Sequence, residues 1–358
     1  MLGIIMAGGQ GTRLMPITEN RPKPLVNVLG VPVINYVKEA LAKSQVSEII
    51  VTTGYKGESL SELVRLWNDE SQITCSVNQE TVPMGTAGGV KLLQGKLTST
   101  FIVASGDSVL SSDLTLLLDA HKRSGAKVTM ALWEVEDPAQ FGIVGLSERQ
   151  NGNLDGSLSE GYICRFLEKP TKHQAFSRVI NAGLYIVEPD VMEYVPQGEK
   201  YDFSRQLFPH LLEMKIPMYG VKLNGAWFDI GTPNELINAQ IHLLKNANSL
   251  PFNIPNGKFT SNLGYVIDSG STNSPVHHSV ICQNSSVGHD SVVRESLLMQ
   301  SSKIGDNCQV VQSIIGENVE IGDYCIINNC VIGDGIKLPA HGNFTDRRIS
   351  HTSIGDTE

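Results

Sequence analysis

Short apolar runs that end in glycine alternate with stretches of helical period through the first 245 residues, and a repeating pattern takes over after Ser274. LGIIMA, residues 2–7, reads as a buried strand, because a brief apolar run bounded by glycine suits the centre of a parallel sheet. VPVINYVKEALAKSQ, 31–45, sets Ile34, Val37 and Leu41 on one helical face, and EIIVTTG, 48–54, returns to a strand, completing a βαβ unit. A helix near ESLSELVRLW, the strand TFIVASGD, a helix near DLTLLLDAHKRSG and the strand KVTMALWEV continue the alternation. The expected fold is α/β, Rossmann-like, with a mostly parallel sheet and ligands at the carboxyl ends of its strands.

GTPNELINAQIHLL carries a helix start: Thr232 caps, Pro233 takes the first helical position and Glu235 closes a capping box. This helix closes a first domain, 1–245, and the Asn-, Ser-, Gly- and Pro-rich stretch 246–270 reads as a linker and the first edge of the next domain. From Ser274 the chain divides into four blocks of seventeen residues, SPVHHSVICQNSSVGHD, SVVRESLLMQSSKIGDN, CQVVQSIIGENVEIGDY and CIINNCVIGDGIKLPAH. Val276, Val293, Val310 and Ile327 form one column, Ile281, Leu298, Ile315 and Ile332 a second, and Val287, Ile304, Ile321 and Leu338 a third. Inward aliphatics at these spacings describe three flats per turn, so residues 271–343 are expected to be a hexapeptide-type parallel β-helix and 344–358 a tail. Gly288, Gly305 and Gly322 are expected to turn its corners. An antiparallel sandwich with coincidental spacing is the alternative, and the period does not set the handedness.

Composition narrows the partners. The 358 residues carry a formal charge of -9 without blocks of like charge, which argues against nucleic acid or a membrane surface and requires any anion to be caught locally. Cys75, Cys164, Cys282, Cys308, Cys325 and Cys330 form no C-x-x-C pair, and neither a secretory leader nor an apolar run of membrane-spanning length is present, so a cytoplasmic protein with reduced thiols is expected.

The candidate chemistry starts at MAGGQGTRLMPITENRPKP, residues 6–24. Gly8, Gly9 and Gly11, between a strand and a helix, let backbone N–H groups approach an oxyanion. The stretch is no Walker loop, and Leu14 stands where a dinucleotide fingerprint needs its last glycine, so a tight strand-to-helix turn is the competing reading. Arg13 can clamp phosphate oxygens in pairs, and Lys23, between Pro22 and Pro24, sits on a stiffened backbone. Asp107 ends an apolar strand and Asp229 follows Trp227 and Phe228; taken alone, Asp107 reads more readily as a strand-end helix cap and Asp229 as a turn residue than as metal ligands. Glu168 and Lys169 read as a solvated acid–base pair, and Asn181 as part of a polar turn.

GGQGTRLMPITENRPKPL resembles the signature of the sugar-phosphate nucleotidyltransferases, the NDP-sugar pyrophosphorylases. PMGTAGG (83–89), SGDSVL (105–110), FGIV (141–144), FLEKP (166–170), NAGLY (181–185) and WFDIGTP (227–233) follow in the family's order. The C-terminal repeats look like the left-handed β-helix appended to several members.

The resemblance implies that Ala7, Gly8, Gly9, Gly11, Thr12, Arg13 and Lys23 bind a nucleoside triphosphate, with Glu80, Gly85 and Thr86 towards its base. It gives Gly142, Glu168, Lys169, Asn181 and Gly183 to a sugar 1-phosphate, and Asp107 and Asp229 to Mg²⁺. Arg13 and Lys23 would be the catalytic cations, in an in-line attack on the α-phosphorus that releases pyrophosphate. Glu80 can accept two hydrogen bonds from guanine, and GTAGG is nearest to the GTAG of mannose-1-phosphate guanylyltransferases, which implies GTP and mannose 1-phosphate. Gln79 would take that place if the loop shifted by one residue, and thymidylyl, uridylyl and adenylyl transfer stay open.

Two other classes compete. Hexapeptide β-helices also support acyl transfer, and His277, His278 and His289 lie in this one; a nucleotide-sugar-binding regulatory subunit is the non-catalytic alternative. The outward flats of the β-helix suit packing in a homo-oligomer.

Overall fold

The computed structural model describes residues 1–54, 57–70, 73–250, 253–260 and 262–354. The chain divides into two compact units: a sheet unit of Met1–Gly9, Tyr36–Gly106 and Leu110–Trp227, and a β-helix unit of Gln10–Asn35, Asp107–Val109 and the chain from Phe228 onward. Segments 10–35 and 107–109, inside the expected first domain, therefore cluster with the C-terminal chain rather than with their sequence neighbours.

The sheet unit holds a nine-stranded sheet. Its strands are β1 (Leu2–Met6), β2 (Glu48–Thr53), β3 (Thr74–Gln79), β4 (Phe101–Ser105), β5 (Val128–Glu134), β6 (Gly142–Ser147), β7 (Glu160–Glu168), β8 (Val179–Val187) and β9 (Met218–Lys222). Their order is β3-β2-β1-β4-β8-β5-β9-β7-β6, and only β7 and β8 run against the others. The mostly parallel sheet expected from the sequence is thus present. Ile4 of β1 registers with Ile50 of β2 and Val103 of β4, and all three lie in the core, as strands covered on both faces must. Helices Val33–Ala42, Gly57–Glu70 and Thr115–Ser124 fall where helical periodicity placed them, the last closed by Gly125 at φ 62°.

The strand ends are tied where loops leave them. Ala7 N donates to Thr52 O at 2.8 Å, Glu80 N to Thr53 O at 2.6 Å and Gly106 N to Met6 O at 2.9 Å. A Cβ on Gly106 would stand 2.9 Å from Ile5 Cγ2 and 3.0 Å from Met6 O, so only glycine lets the chain leave β4 so close to β1.

In the β-helix unit three parallel ladders repeat with the seventeen-residue step. Val276, Val293, Val310 and Ile327 pair in one sheet; Ile281, Leu298, Ile315 and Ile332 in a second; Val287, Ile304, Ile321 and Leu338 in a third. All twelve are buried, so the ladders are the core of the coil stack. The architecture is a parallel β-helix, and the sandwich alternative falls because every one of these pairings is parallel.

The prism extends beyond the readable repeats. Phe344 pairs with Ile327 and Ile349 with Ile332, so strands Asn343–Thr345 and Arg348–Ile349 occupy the stretch expected as a tail; 355–358 lie outside the described residues. Strands Gly257–Phe259 and Tyr265–Ile267 occupy the expected linker, where Val266 pairs with Ile281 and Thr272 with Val287 across a shorter step than seventeen.

The corners differ from expectation. Gly288, Gly305 and Gly322 do not adopt positive φ; the left-handed positions are His278, Glu295, Gln312 and Asn329, then Asn284, Ser301 and Asn318, then Asp290, Asn307 and Tyr324. The glycines serve close stacking instead, since a Cβ on Gly288 would stand 2.6 Å from the Gly305 carbonyl oxygen. Polar rungs join the coils: Ser279, Ser296 and Ser313 Oγ accept from the backbone N–H groups of Ser296, Ser313 and Cys330, each at 3.0 Å.

Candidate functional site

In the β-helix unit four expected residues meet. The segment after Gln10 folds as three single turns, Thr12–Leu14, Ile17–Glu19 and Lys23–Leu25, pinned by fully buried Leu14 and Ile17. Gly11 takes φ 67°, and a Cβ there would stand 2.9 Å from Lys23 Cβ, so this glycine allows the lysine its place.

Lys23 is buried, and its Nζ donates to Asp107 Oδ2 at 2.5 Å and Asp229 Oδ1 at 2.9 Å. Asp107 and Asp229 are themselves joined through Ile230 N, which donates to Asp107 O at 3.1 Å. Desolvation opposes the lysine's charge, but the two aspartates outweigh it and raise its pKa to about 12. Burial and the neighbouring Asp107 lift the Asp229 carboxyl above its ordinary range, with Lys23 pulling the other way. One ammonium therefore serves two crowded carboxylates, which leaves room for more positive charge. Two carboxylates within reach of one cation are also what a protein usually gives to Mg²⁺, whose shell is completed by water and phosphate. Among the described residues no larger group of His, Cys, Asp or Glu is arranged to hold a metal.

Arg13 is half exposed, its Nη2 4.0 Å from Asp229 Oδ2. Gly231 stands at the meeting point: a Cβ there would lie 2.8 Å from Arg13 Nη2, 3.0 Å from Glu235 Oε2 and 3.1 Å from Asp229 Oδ2. Thr232 Oγ1 accepts from Glu235 N at 3.3 Å, as the capping reading expected. The Glu235 side chain does not close the box, however; its Oε2 is buried without a hydrogen-bond partner, on the acidic side of Arg13. Capping is visible in sequence, whereas this second use of Glu235 and the need for Gly231 are not.

In the sheet unit Ala7 is buried, while Gly8 and Gly9 are exposed. A Cβ on Gly8 would meet nothing nearer than Gly54 N at 3.9 Å, and one on Gly9 nothing within 4 Å. Packing does not require glycine at these two positions, and their backbone is open to solvent.

The expected base-side residues hold their own loop. Glu80 Oε2 accepts from Met84 N at 3.0 Å, and its other oxygen lies against Gly89, where any Cβ would collide with it. Gln79 is exposed and lies against Gly57 instead. Gly85 has φ 74°, and Tyr201 O would be 2.7 Å from a Cβ there. Thr86 donates to Asp202 Oδ1 from N and Oγ1, each at 3.2 Å, and its Oγ1 accepts from Phe203 N at 2.9 Å.

The sugar-side residues gather at the β6–β7 and β8 strands. Gly142 registers with Glu168, and a Cβ on it would stand 2.6 Å from Phe166 Cζ and 2.7 Å from Glu168 Oε2, so the glycine seats both. Burial raises the Glu168 carboxyl, with Lys169 and Arg205 lowering it in part. Lys169 is exposed and holds φ 48°, a backbone region that lysine rarely takes. Asn181 is buried; its Nδ2 donates to Tyr185 Oη at 2.8 Å and Ser204 Oγ at 3.2 Å, and its Oδ1 accepts from Gly183 N at 2.9 Å. Gly183, at φ 73°, lies where a Cβ would be 3.1 Å from Ser105 Cβ. Segment 201–204 thus ties the start of helix Gly85–Lys91 to the Asn181 strand through Asp202 and Ser204, which no motif singled out. Trp227 donates Nε1–H to Ala182 O at 3.1 Å and meets Phe141 edge-on, which brings three expected motifs together.

The histidines of the β-helix do not share one arrangement. His278 is a left-handed corner residue, His277 lies on a strand and His289 is exposed, 3.7 Å from Asp306. No described helix is long and apolar enough to cross a membrane.

The sheet unit is an α/β fold with an open glycine loop, the β-helix unit holds a lysine-bridged pair of aspartates, and residues 2–246 match the family model described as nucleotidyl transferase. The chain belongs to that family. Residues 267–345 match the model described as GMPPB C-terminal domain. The mannose-1-phosphate guanyltransferase of Debaryomyces hansenii is 32% identical over 75% of this chain and 72% of its own length. That of Saccharomyces cerevisiae is 32% identical over 69% of this chain and 65% of its own. The UTP--glucose-1-phosphate uridylyltransferase of Synechocystis is 33% identical over 64% and 60%. The chain spans about two thirds of the length of the curated relatives it matches.

Proposed function

We propose that this chain is a Mg²⁺-dependent sugar-1-phosphate nucleotidyltransferase that converts GTP and mannose 1-phosphate into GDP-mannose and pyrophosphate. The observation that carries the reading is the convergence of Asp107 and Asp229 on Lys23 Nζ, at 2.5 and 2.9 Å, from segments far apart in the chain. An oxygen of the sugar phosphate attacks the α-phosphorus, the bond from that phosphorus to the bridging oxygen of pyrophosphate breaks, and pyrophosphate leaves opposite the incoming oxygen.

No general base is needed, because a phosphate monoester with its second pKa near ~6 already presents an anionic nucleophile at neutral pH. What the reaction requires is position and positive charge. Lys23, with its pKa at about 12, is a fixed cation and cannot serve as a proton acceptor near neutrality. Arg13, half exposed and beside Asp229, is free to turn its fork to the departing pyrophosphate. The amides of Gly8, Gly9 and Gly11 receive the triphosphate. Asp107 and Asp229 would hold Mg²⁺, which supplies charge neutralisation at the α-phosphoryl oxygens.

Lys169 binds the sugar phosphate, while Glu168, with the Gly142 and Gly183 backbone, reads sugar hydroxyls; Asn181 acts by holding Gly183. The several guanyltransferase relatives support guanine, which Glu80 would read on turning away from Met84 N and Gly89 in its own loop. The uridylyltransferase relative supports UTP and glucose 1-phosphate as the second reading. Acyl transfer by the β-helix has no support in the placement of its histidines.

Pyrophosphate release across a panel of nucleoside triphosphates crossed with sugar 1-phosphates tests this. GTP with mannose 1-phosphate, in the presence of Mg²⁺, should give the highest rate. A maximum with UTP and glucose 1-phosphate would overturn the specificity, and no release with any pair would overturn the enzyme reading.

A further inference from the structure

Four observations within the β-helix unit tie segment 10–26 to the last coils of the prism. Arg348 Nη1 donates to the carbonyl oxygens of Arg13 and Met15, each at 2.7 Å. Arg21 is half-buried and forks onto two coils, pairing with Glu317 and with Asp334 Oδ2 at 2.5 Å. Asp334 is itself fixed, its Oδ1 accepting from Glu317 N at 2.9 Å. Pro16 packs on Gly333, where a Cβ would stand 3.2 Å from Pro16 Cβ and 3.4 Å from its Cγ.

These contacts fall on the backbone that carries Arg13. Within the segment, Leu14 N to Gly11 O, Met15 N to Thr12 O, Glu19 N to Pro16 O, Leu25 N to Pro22 O and Val26 N to Lys23 O make single turns, and Thr18 Oγ1 donates to Gly11 O; single turns are too short to hold a shape unaided. One of the two carbonyls bound by Arg348 is that of Arg13 itself, the residue whose guanidinium must be aimed, and the other lies two residues further on. A charged donor bound to two carbonyls is among the stronger hydrogen-bond arrangements.

We propose that the C-terminal coils of the β-helix are part of the catalytic apparatus, with Arg348 as a positioning residue that sets the backbone of Arg13 and so the triphosphate loop. The proposal rests on reading segment 10–24 as that loop. Arg348 touches no substrate; it acts through Arg13. It therefore affects the nucleotide side of the reaction and leaves the sugar-phosphate side alone, because Glu168 and Lys169 are held by strands β6 and β7 and not by these coils.

The test uses the full chain with Arg348→Ala and Arg348→Lys, read by hydrogen exchange over residues 10–26 and by steady-state kinetics with each substrate varied. In Arg348→Ala the amides of Leu14 and Met15 should exchange about tenfold faster, and KM for the nucleoside triphosphate should rise about tenfold while KM for the sugar phosphate stays within about twofold. Arg348→Lys, which keeps a charged donor, should recover most of both effects. Glu317→Gln, on the second tether, should shift both readings in the same direction and keeps the test decisive if Arg348→Ala does not fold. An unchanged nucleotide KM, equal rises in both KM values, or unchanged exchange would overturn the proposal. Exchange needs no turnover, so a wild type that releases no pyrophosphate sinks the functional reading alone, whereas normal turnover with unchanged exchange sinks the tether alone.

Discussion

Arg21 and Asp334, 313 positions apart in the chain, meet as an ion pair at 2.5 Å with both side chains largely shielded from solvent. Burial works against the guanidinium charge, but Asp334 and Glu317 more than offset it, so the Arg21 pKa rises. Removing one partner leaves the other charges half-buried and unmatched. Arg21→Ala should therefore cost about 3–5 kcal/mol of stability. Arg21→Lys should recover only part, since an ammonium cannot fork onto two carboxylates. Denaturant unfolding of the three proteins checks this, and equal midpoints would contradict it.

Lys23→Ala should lower turnover by about 10²–10³-fold, the loss seen when one preorganised transition-state donor is removed. Added Mg²⁺ should then raise the melting temperature of the variant more than that of wild type, because the two aspartates no longer share the lysine's ammonium and bind the metal more tightly. Calorimetric titration of Mg²⁺ into wild type and variant measures the difference; equal affinities would count against the shared site.

Glu168 offers a pH signature. Burial holds its carboxyl above the ordinary 4.5, with Lys169 and Arg205 only partly offsetting that. The folded protein then binds this proton more tightly than the unfolded chain, so stability falls as pH rises from 4.5 through the raised value. Glu168→Gln cannot ionise. It should melt higher than wild type at neutral pH, the gap closing as pH falls towards 4.5, while its KM for sugar 1-phosphate rises. Melts from pH 4 to 8 follow the gap, and a gap that widens on acidification would reverse the assignment.

The glycines separate fold from function. Gly9→Ala enters open space, so the melting temperature should hold within about 1 °C while the nucleotide KM rises about tenfold. Gly231→Ala places a methyl group 2.8 Å from Arg13 Nη2, against the movable ends of side chains. Turnover should fall about 10–100-fold with a stability loss of about 1 kcal/mol or less. Thermal melts beside steady-state rates distinguish the two, and a large melting shift in Gly9→Ala would mean that the fold needs this glycine after all.

Local pattern was legible wherever one residue type served one local purpose. The twelve ladder aliphatics, the cap at Thr232 and the strand before the glycine loop were readable because burial on a fixed period leaves its mark on consecutive sequence. The coil before Ser274 was not, since its step is shorter than seventeen, and the corner residues were not, since Asn, Asp, Ser, Gln and His all tolerate left-handed backbone inside this stack.

By itself the sequence determined the two architectures, their order and the residue types able to meet phosphate, because periodic burial and backbone freedom are properties of short stretches of chain. Only the tertiary structure decided that Lys23 bridges Asp107 and Asp229, that Glu235 faces Arg13 across Gly231, and that segment 10–35 clusters with the C-terminal coils. Such pairings depend on desolvated charges finding partners across hundreds of residues, and a charge in sequence carries no record of which opposite charge will share its burial.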